Sequence, residues 1–73
     1  MKRVDFTKRQ QLILALLAEG LSNAEISNIV RIKEPTVKMH IKQLFNKTGK
    51  KSRLSLVVWY YRTLMKLREQ IGE

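Results

Sequence analysis

Cysteine is absent from the 73 residues, and histidine occurs once, as His40. The missing cysteines exclude disulfide bonds and thiolate metal ligands. A single histidine is too little for a histidine metal site built by protein alone or for a histidine-dependent catalytic triad. We interpret His40 as a structural residue on the flank of a helix, with a phosphate contact as the alternative. The sequence therefore predicts no cofactor and no metal, and it offers no evident site for a small-molecule ligand.

Long apolar segments are also lacking. A membrane-spanning helix needs about 20 consecutive apolar residues, and no run in this sequence approaches that length. The N-terminal stretch "MKRVDFTKRQQ" returns to charged residues before an apolar region develops, so it does not resemble a secretory signal. We therefore expect a cytoplasmic chain without a membrane partner.

Acidic residues are few: six Asp and Glu oppose 15 Lys and Arg, for a net charge of +9. The excess is concentrated between positions 33 and 53, where seven Lys and Arg residues face one acid, Glu34. Such a bias attracts a polyanion, and nucleic acid is the commonest candidate, although acidic lipid or an acidic protein would also fit. The scattered acids and the lack of a nucleophile beside a base argue against an enzyme.

Helical periodicity is the dominant pattern, because apolar residues recur three and four positions apart. The length and pattern predict one compact all-α domain over residues 1–73, with four helices and a long C-terminal helix. Capping-box pairs, Thr7 with Gln10 and Ser22 with Glu25, mark two helix starts. The predicted boundaries are an N-terminal arm at 1–5 and helices at 7–19, 22–31, 34–48 and 52–70. The inner faces of the first two helices are expected to contain Ile13, Leu16, Leu17, Ile26, Ile29 and Val30.

Glycine and proline fit these boundaries. Gly20 and Gly49 are placed to end the first and third helices in a left-handed conformation, and Pro35 suits the first turn of the third helix. Residues 1–4 and those after Glu69 are expected to fray.

The second and third predicted helices are joined by a short turn, which is typical of a helix-turn-helix. One side of the third helix is apolar, and the other is mostly basic and amide-bearing. An α-helix is about 10–12 Å across and the major groove of B-DNA is about 12 Å wide, so such a helix fits the groove. The alternative interpretation is an ordinary solvated face. The apolar side contains Val37, Ile41, Leu44 and Phe45, and the outer side contains Lys38, Met39, Lys42, Gln43 and Asn46.

Five stretches occur in the order typical of one family: "FTKRQ", "EGLSNAEIS", "EPTVKMH", "NKTG" and "KSRLSLVVW". On these motifs the chain resembles LuxR-type (GerE-like) helix-turn-helix domains, especially those at the C-termini of two-component response regulators. The resemblance implies a bacterial transcription regulator that binds double-stranded DNA as a dimer, with the third helix in the major groove. Whether the 73 residues act alone or within a larger regulator stays open at this point.

The sequence departs from the family pattern at four positions. Lys33 stands where the family commonly has a serine that caps the recognition helix, and Pro35 compensates by fixing φ. Ala24 replaces a frequent lysine, which removes one phosphate contact from the second helix. Thr48 and Lys50 replace apolar residues that normally seat the third helix against the fourth.

By position, the resemblance assigns base reading to Lys38, Met39 and Lys42, and we add Gln43. A lysine can donate to guanine O6 and N7, and a methionine tip can meet a thymine methyl group. Phosphate contacts would fix the register of the protein on DNA without reading its sequence. The expected phosphate-binding residues are Lys33, Thr36, Asn46, Lys47 and Asn23.

The fourth helix has apolar residues on two sides, more than one core contact requires. We expect the side with Val57 and Tyr61 to cover the core and the side with Trp59 to form a dimer or partner interface. The first side consists of Leu54, Val57, Val58, Tyr61, Leu64 and Met65. The expected interface consists of Leu56, Trp59, Tyr60, Thr63 and Leu67. The alternative function is a protein-binding module that captures another regulator or RNA polymerase and binds DNA weakly.

Overall fold

The computed structural model describes residues 5–70, and within them four α-helices and no strand. They are α1 Lys8–Ala18, α2 Asn23–Val30, α3 Glu34–Thr48 and α4 Arg53–Gln70. The all-α prediction is confirmed. Of the predicted N-terminal arm only Asp5 lies inside the described range, and the fraying expected at the two ends falls outside it, apart from Gln70, the last residue of α4.

Both predicted capping boxes are formed. At α1, the Gln10 backbone N–H donates to Thr7 Oγ1 and the Thr7 N–H donates to Gln10 Oε1, each at 3.1 Å. At α2, the Glu25 N–H donates to Ser22 Oγ at 3.2 Å, and the Ser22 N–H donates to Glu25 Oε1 at 2.8 Å. The hydrogen bonds from the Ser22 backbone and hydroxyl lower the pKa of the Glu25 carboxyl. These bonds satisfy amide groups that a helix start otherwise leaves unpaired.

Two of the three turns contain a glycine at positive φ, with φ of 89° at Gly20 and 74° at Gly49. In the remaining turn, between α2 and α3, the residue at positive φ is Arg31, with φ of 63°. A non-glycine residue in this left-handed region carries a steric cost. Hydrogen bonds across the turn hold it there: the Ser27 hydroxyl donates to the Ile32 carbonyl, and the Ile32 N–H donates to Ser27 O at 3.2 Å.

One hydrophobic cluster joins all four helices. α1 packs against each of the other helices, and α2 packs against α3. Ile29, expected on the inner face of α2, is instead 55% exposed, because α2 is short and turns only its Ile26 edge fully inward. Leu14, which was not among the expected inner residues, is buried. The buried apolar residues are Ile13, Leu14, Leu17, Ile26, Val37, Ile41, Leu44 and Leu56.

The expected orientation of α4 is wrong for most of its apolar residues, although Val57 packs against the core as expected. Leu56, assigned to a partner interface, is completely buried. Trp59 and Tyr60 are partly buried against the core, and the Trp59 ring meets Phe6 edge-on at 5.8 Å. On the side assigned to the core, Leu54 is 74% exposed. Both sides are apolar, so periodicity could not choose between them.

The first residue of α4 is tied to α2 in a way that agrees with the observed rotation of α4. The Arg53 guanidinium donates to Asn23 Oδ1 at 2.9 Å and to the Leu21 carbonyl at 2.7 Å, which ties the start of α4 to the start of α2. With Arg53 directed at α2, the helical period carries Leu56 into the core and Leu54 outward. No helix within residues 5–70 is long and apolar enough to span a bilayer.

Replacing Ser22 by alanine removes one capping bond of α2, and we expect a loss of about 1 kcal/mol of folding free energy. A small domain has little stability to spare, so the thermal midpoint should fall by several degrees. Thermal unfolding followed by circular dichroism measures the change. Ser22→Thr, which keeps the hydroxyl, is the matched control, and equal midpoints for both variants would show that the cap contributes nothing.

Candidate nucleic-acid interface

α3 begins with its backbone extended at Lys33, with φ −74° and ψ 152°, and the Lys33 side chain makes no capping bond. Pro35 lies in the first turn, where its missing N–H is not needed. The Lys33 carbonyl accepts from the N–H groups of Thr36 and Val37, at 3.0 and 3.1 Å. The Lys33 ammonium is thus left for other partners beside a helix N-terminus, a position that favours anions.

The two sides of α3 differ sharply in burial. Val37 and Leu44 are completely buried and Ile41 is 6% exposed. The outer side carries Lys38, Lys42 and Asn46, which are all exposed, and Met39, which is 48% exposed. Because the inner side is held by the core, the outer side is free to enter a groove.

The expected phosphate-binding residues lie around the edges of this outer side. Thr36 is partly buried in the first turn of α3, and Asn46 is exposed near its last turn. Asn23, the first residue of α2, accepts from Arg53 through its Oδ1, so its amide nitrogen is left free to donate. The structure brings these groups to the borders of the exposed α3 surface.

The family of the chain follows from a match over residues 4–60 to the model described as "Bacterial regulatory proteins, luxR family". The chain belongs to this family. It is therefore a DNA-binding regulatory domain and not an enzyme, which confirms the resemblance noted in the sequence.

Curated relatives carry names of response regulators. The chain is 42% identical over 55 residues to the nitrate/nitrite response regulator protein NarL of Escherichia coli, which is 75% of this chain and 26% of that protein. It is 40% identical over 55 residues to the response regulator Rre1 of Synechocystis, covering 75% and 24%. With NarP of Escherichia coli it shares 39% over 54 residues, covering 74% and 25%. The chain thus spans about a quarter of the length of these relatives.

In this luxR-family domain, Lys47 is less free than the sequence suggested. Its Nζ donates to Gln10 Oε1 at 2.7 Å and to the Asp5 carbonyl at 3.0 Å, and it lies 5.9 Å from the centroid of the Phe6 ring. These acceptors are neutral, so the positive charge is not cancelled. Lys47 therefore presents its charge at the junction of α3 with the start of α1.

Gln10 has a second role that the capping-box pattern does not predict. It is 3% exposed, and its side chain bonds to two residues of α3 in addition to forming the α1 cap. Its Nε2 donates to Gln43 Oε1 at 2.7 Å. Gln43 is consequently partly buried and tied to α1 on the flank of the exposed α3 side. No pattern along the chain links positions 33 residues apart, so this contact had no sequence signal.

His40 occupies the same flank of α3 and is partly buried. Its Nδ1 is buried and has no hydrogen-bond partner among residues 5–70. The side chain lies beside the exposed side of α3 and not within it, which agrees with the interpretation of His40 as a helix-flanking residue.

Proposed function

We propose that this domain binds double-stranded DNA in a sequence-specific manner, with α3 in the major groove. The observation that carries the proposal is the division of α3 into a buried apolar side and an exposed side bearing Lys38, Met39 and Lys42. A helix of about 10–12 Å diameter fits the groove, and these side chains then reach base edges. Because bacterial DNA lies in the cytoplasm, the proposed activity places the domain there.

The contacts divide into two classes. Lys38 and Lys42 donate to acceptors on guanine, and Met39 meets a thymine methyl group. Lys33 and Thr36, at the N-terminus of α3, bind phosphate oxygens and fix the depth and register of the helix. Asn23, which lies beside Lys38 and Lys42, and Asn46, near the C-terminus of α3, extend the phosphate contacts along the exposed side.

We further propose that two copies associate through α4. One side of α4 carries an exposed apolar stripe, spaced four, three and four residues apart along the helix. An isologous contact through this stripe would place two copies of α3 about one DNA turn apart, near 34 Å. The stripe consists of Leu54, Val58, Tyr61 and Met65, with exposed fractions of 74%, 40%, 47% and 62%.

The same apolar stripe supports the second candidate function, capture of another regulator or of RNA polymerase with little DNA binding. Contiguous exposed apolar surface marks a partner site whatever the partner is. Selection from fragmented genomic DNA at near-physiological salt separates the two candidates. We expect enrichment of a two-fold-symmetric motif, and selection without any enriched motif would favour the protein-binding function.

Replacing Lys47 by glutamine should lower affinity for all DNA sequences alike and reduce the salt dependence of binding by about one phosphate contact. Glutamine removes the charge but keeps an amide donor for Gln10, so the fold is retained. Titrations at several salt concentrations on the selected motif and on a scrambled duplex measure the slope. Lys66→Ala, which removes a charge from the C-terminal half of α4, is the control. A change in sequence preference for Lys47→Gln would contradict the phosphate role.

A further inference from the structure

We propose that Gln10 fixes the orientation of the Gln43 side-chain amide, so that Gln43 directs its NH₂ group, and not its oxygen, toward DNA. The inference rests on the proposed function, because it concerns what one residue beside the DNA-facing side of α3 can recognise. It makes Gln10, a buried residue on a different helix, a positioning residue for specificity.

The orientation of the Gln10 amide is determined by its partners. The oxygen and nitrogen of a glutamine amide have nearly the same shape, so only hydrogen bonds distinguish them. One end of the Gln10 amide meets the Thr7 backbone N–H at 3.1 Å and the Lys47 ammonium at 2.7 Å. Both groups are donors and cannot accept. The end that meets them must therefore be Oε1, and the other end must be the NH₂ group.

The orientation of the Gln43 amide follows from that of the Gln10 amide. The Gln10 NH₂ group lies 2.7 Å from the end of the Gln43 side chain, and an amide NH₂ only donates. The Gln43 atom that it meets must be Oε1. Turning the Gln43 amide over would place two NH₂ groups against each other, and Gln10 is only 3% exposed, so water has little access to repair the loss. The Gln43 NH₂ group is thus directed away from Gln10.

This orientation restricts what Gln43 can read. A glutamine with both ends free recognises adenine through a paired donor and acceptor, at N7 and N6. Gln43 Oε1 is held against Gln10, and the NH₂ group is the end directed away from it. The DNA partner of this NH₂ group is an acceptor: either O6 or N7 of guanine, or a phosphate oxygen.

Gln10→Glu tests the proposed orientation because, of the hydrogen bonds that the Gln10 side chain makes, only the one to Gln43 has to reverse its direction. Glutamate serves the capping box as well as glutamine does, and one carboxylate oxygen can still accept from Thr7 and Lys47. The second oxygen now faces Gln43 and is also an acceptor. Gln43 must then donate to it through NH₂ and present Oε1 outward, where it would favour cytosine N4 or adenine N6 over guanine.

The experiment compares four proteins: wild type, Gln10→Glu, Gln43→Ala and the double variant. Binding is measured to the selected motif and to duplexes with each base pair replaced in turn. Pairing of Lys47 with the introduced carboxylate weakens binding to all duplexes, but it does so with or without Gln43 and cancels in the double-mutant comparison.

If Gln43 reads a base, Gln10→Glu should shift preference at one base pair by about five- to tenfold, away from guanine, and only while Gln43 is present. If it meets a phosphate, Gln10→Glu should cost additional affinity on every duplex, again only with Gln43 present. Both outcomes support the inference. An effect of Gln10→Glu that is identical with and without Gln43 would overturn it.

Nuclear magnetic resonance on the free protein gives a second reading that needs no DNA. The side-chain NH₂ group of Gln10 should exchange slowly in wild type and faster in Gln43→Ala, while the Gln43 NH₂ group exchanges quickly. Fast exchange of the Gln10 group in wild type would overturn the inference. If none of the four proteins selects a DNA motif, the proposed function fails, while this measurement still decides how the two amides are arranged.

Discussion

Replacing Lys38, Met39 and Lys42 together by alanine is expected to reduce affinity for the selected motif by roughly 100-fold. A good base contact contributes about 1–3 kcal/mol of discrimination, and a single lysine or methionine tip falls at the low end. Three such contacts give about 3 kcal/mol, which corresponds to somewhat more than a factor of 100. All three side chains are exposed and alanine is the best helix former, so α3 should persist in the variant.

The decisive comparison is between specific and non-specific binding, measured by fluorescence anisotropy on the motif and on a scrambled duplex. Non-specific affinity should fall only by the loss of two charges, so the ratio between the two affinities should collapse. Lys66→Ala with Arg68→Ala also removes two charges, from the end of α4, and is the control that should keep the ratio. Equal losses on both duplexes for the α3 variant would place the exposed side of α3 outside the major groove.

The helices could be predicted because their signals are local. Each signal lies within a few residues of the helix end that it defines. The capping boxes at Thr7 and Ser22 mark two helix starts, and the glycines at positive φ mark two helix ends. The exposed side of α3 was predictable for a related reason. Val37, Ile41 and Leu44 are apolar and the residues opposite them are mostly polar, so only one side of the helix can face the core.

The rotation of α4 was not predictable, because its sequence offers two apolar sides and the choice depends on contacts to other helices. Leu56 packs in the core shared with α1, and Arg53 bonds to α2 over a separation of 30 residues. The Gln10 network is missing from the sequence pattern for the same reason. Its bonds span 33 and 37 residues, and only the packing of α1 against α3 brings Gln10 together with Gln43 and Lys47. Local signals thus define the elements, and long-range contacts decide which side chains remain available to a partner.

Introducing glutamate at two positions of the α4 stripe, Leu54→Glu with Val58→Glu, is expected to abolish the proposed dimer. A two-fold contact through the stripe would bring the four new charges into one interface, where they would be desolvated and would repel one another. Both side chains are exposed in the single chain, and glutamate is a better helix former than valine, so the fold should survive. Affinity for a symmetric motif should fall by about 100-fold or more, because the second half-site would lose the high effective concentration that a linked partner provides.

Sedimentation at micromolar concentration, without DNA and on a symmetric duplex, measures the association directly. Leu67→Glu is the matched control, because Leu67 is 53% exposed but lies on the Trp59 side of α4. It should sediment as wild type does. Dissociation by Leu67→Glu and not by the stripe variant would move the interface to the Trp59 side, which the burial of Leu56 argues against. A wild-type chain that stays monomeric on the symmetric duplex would exclude the dimer and leave the exposed stripe to a different protein partner.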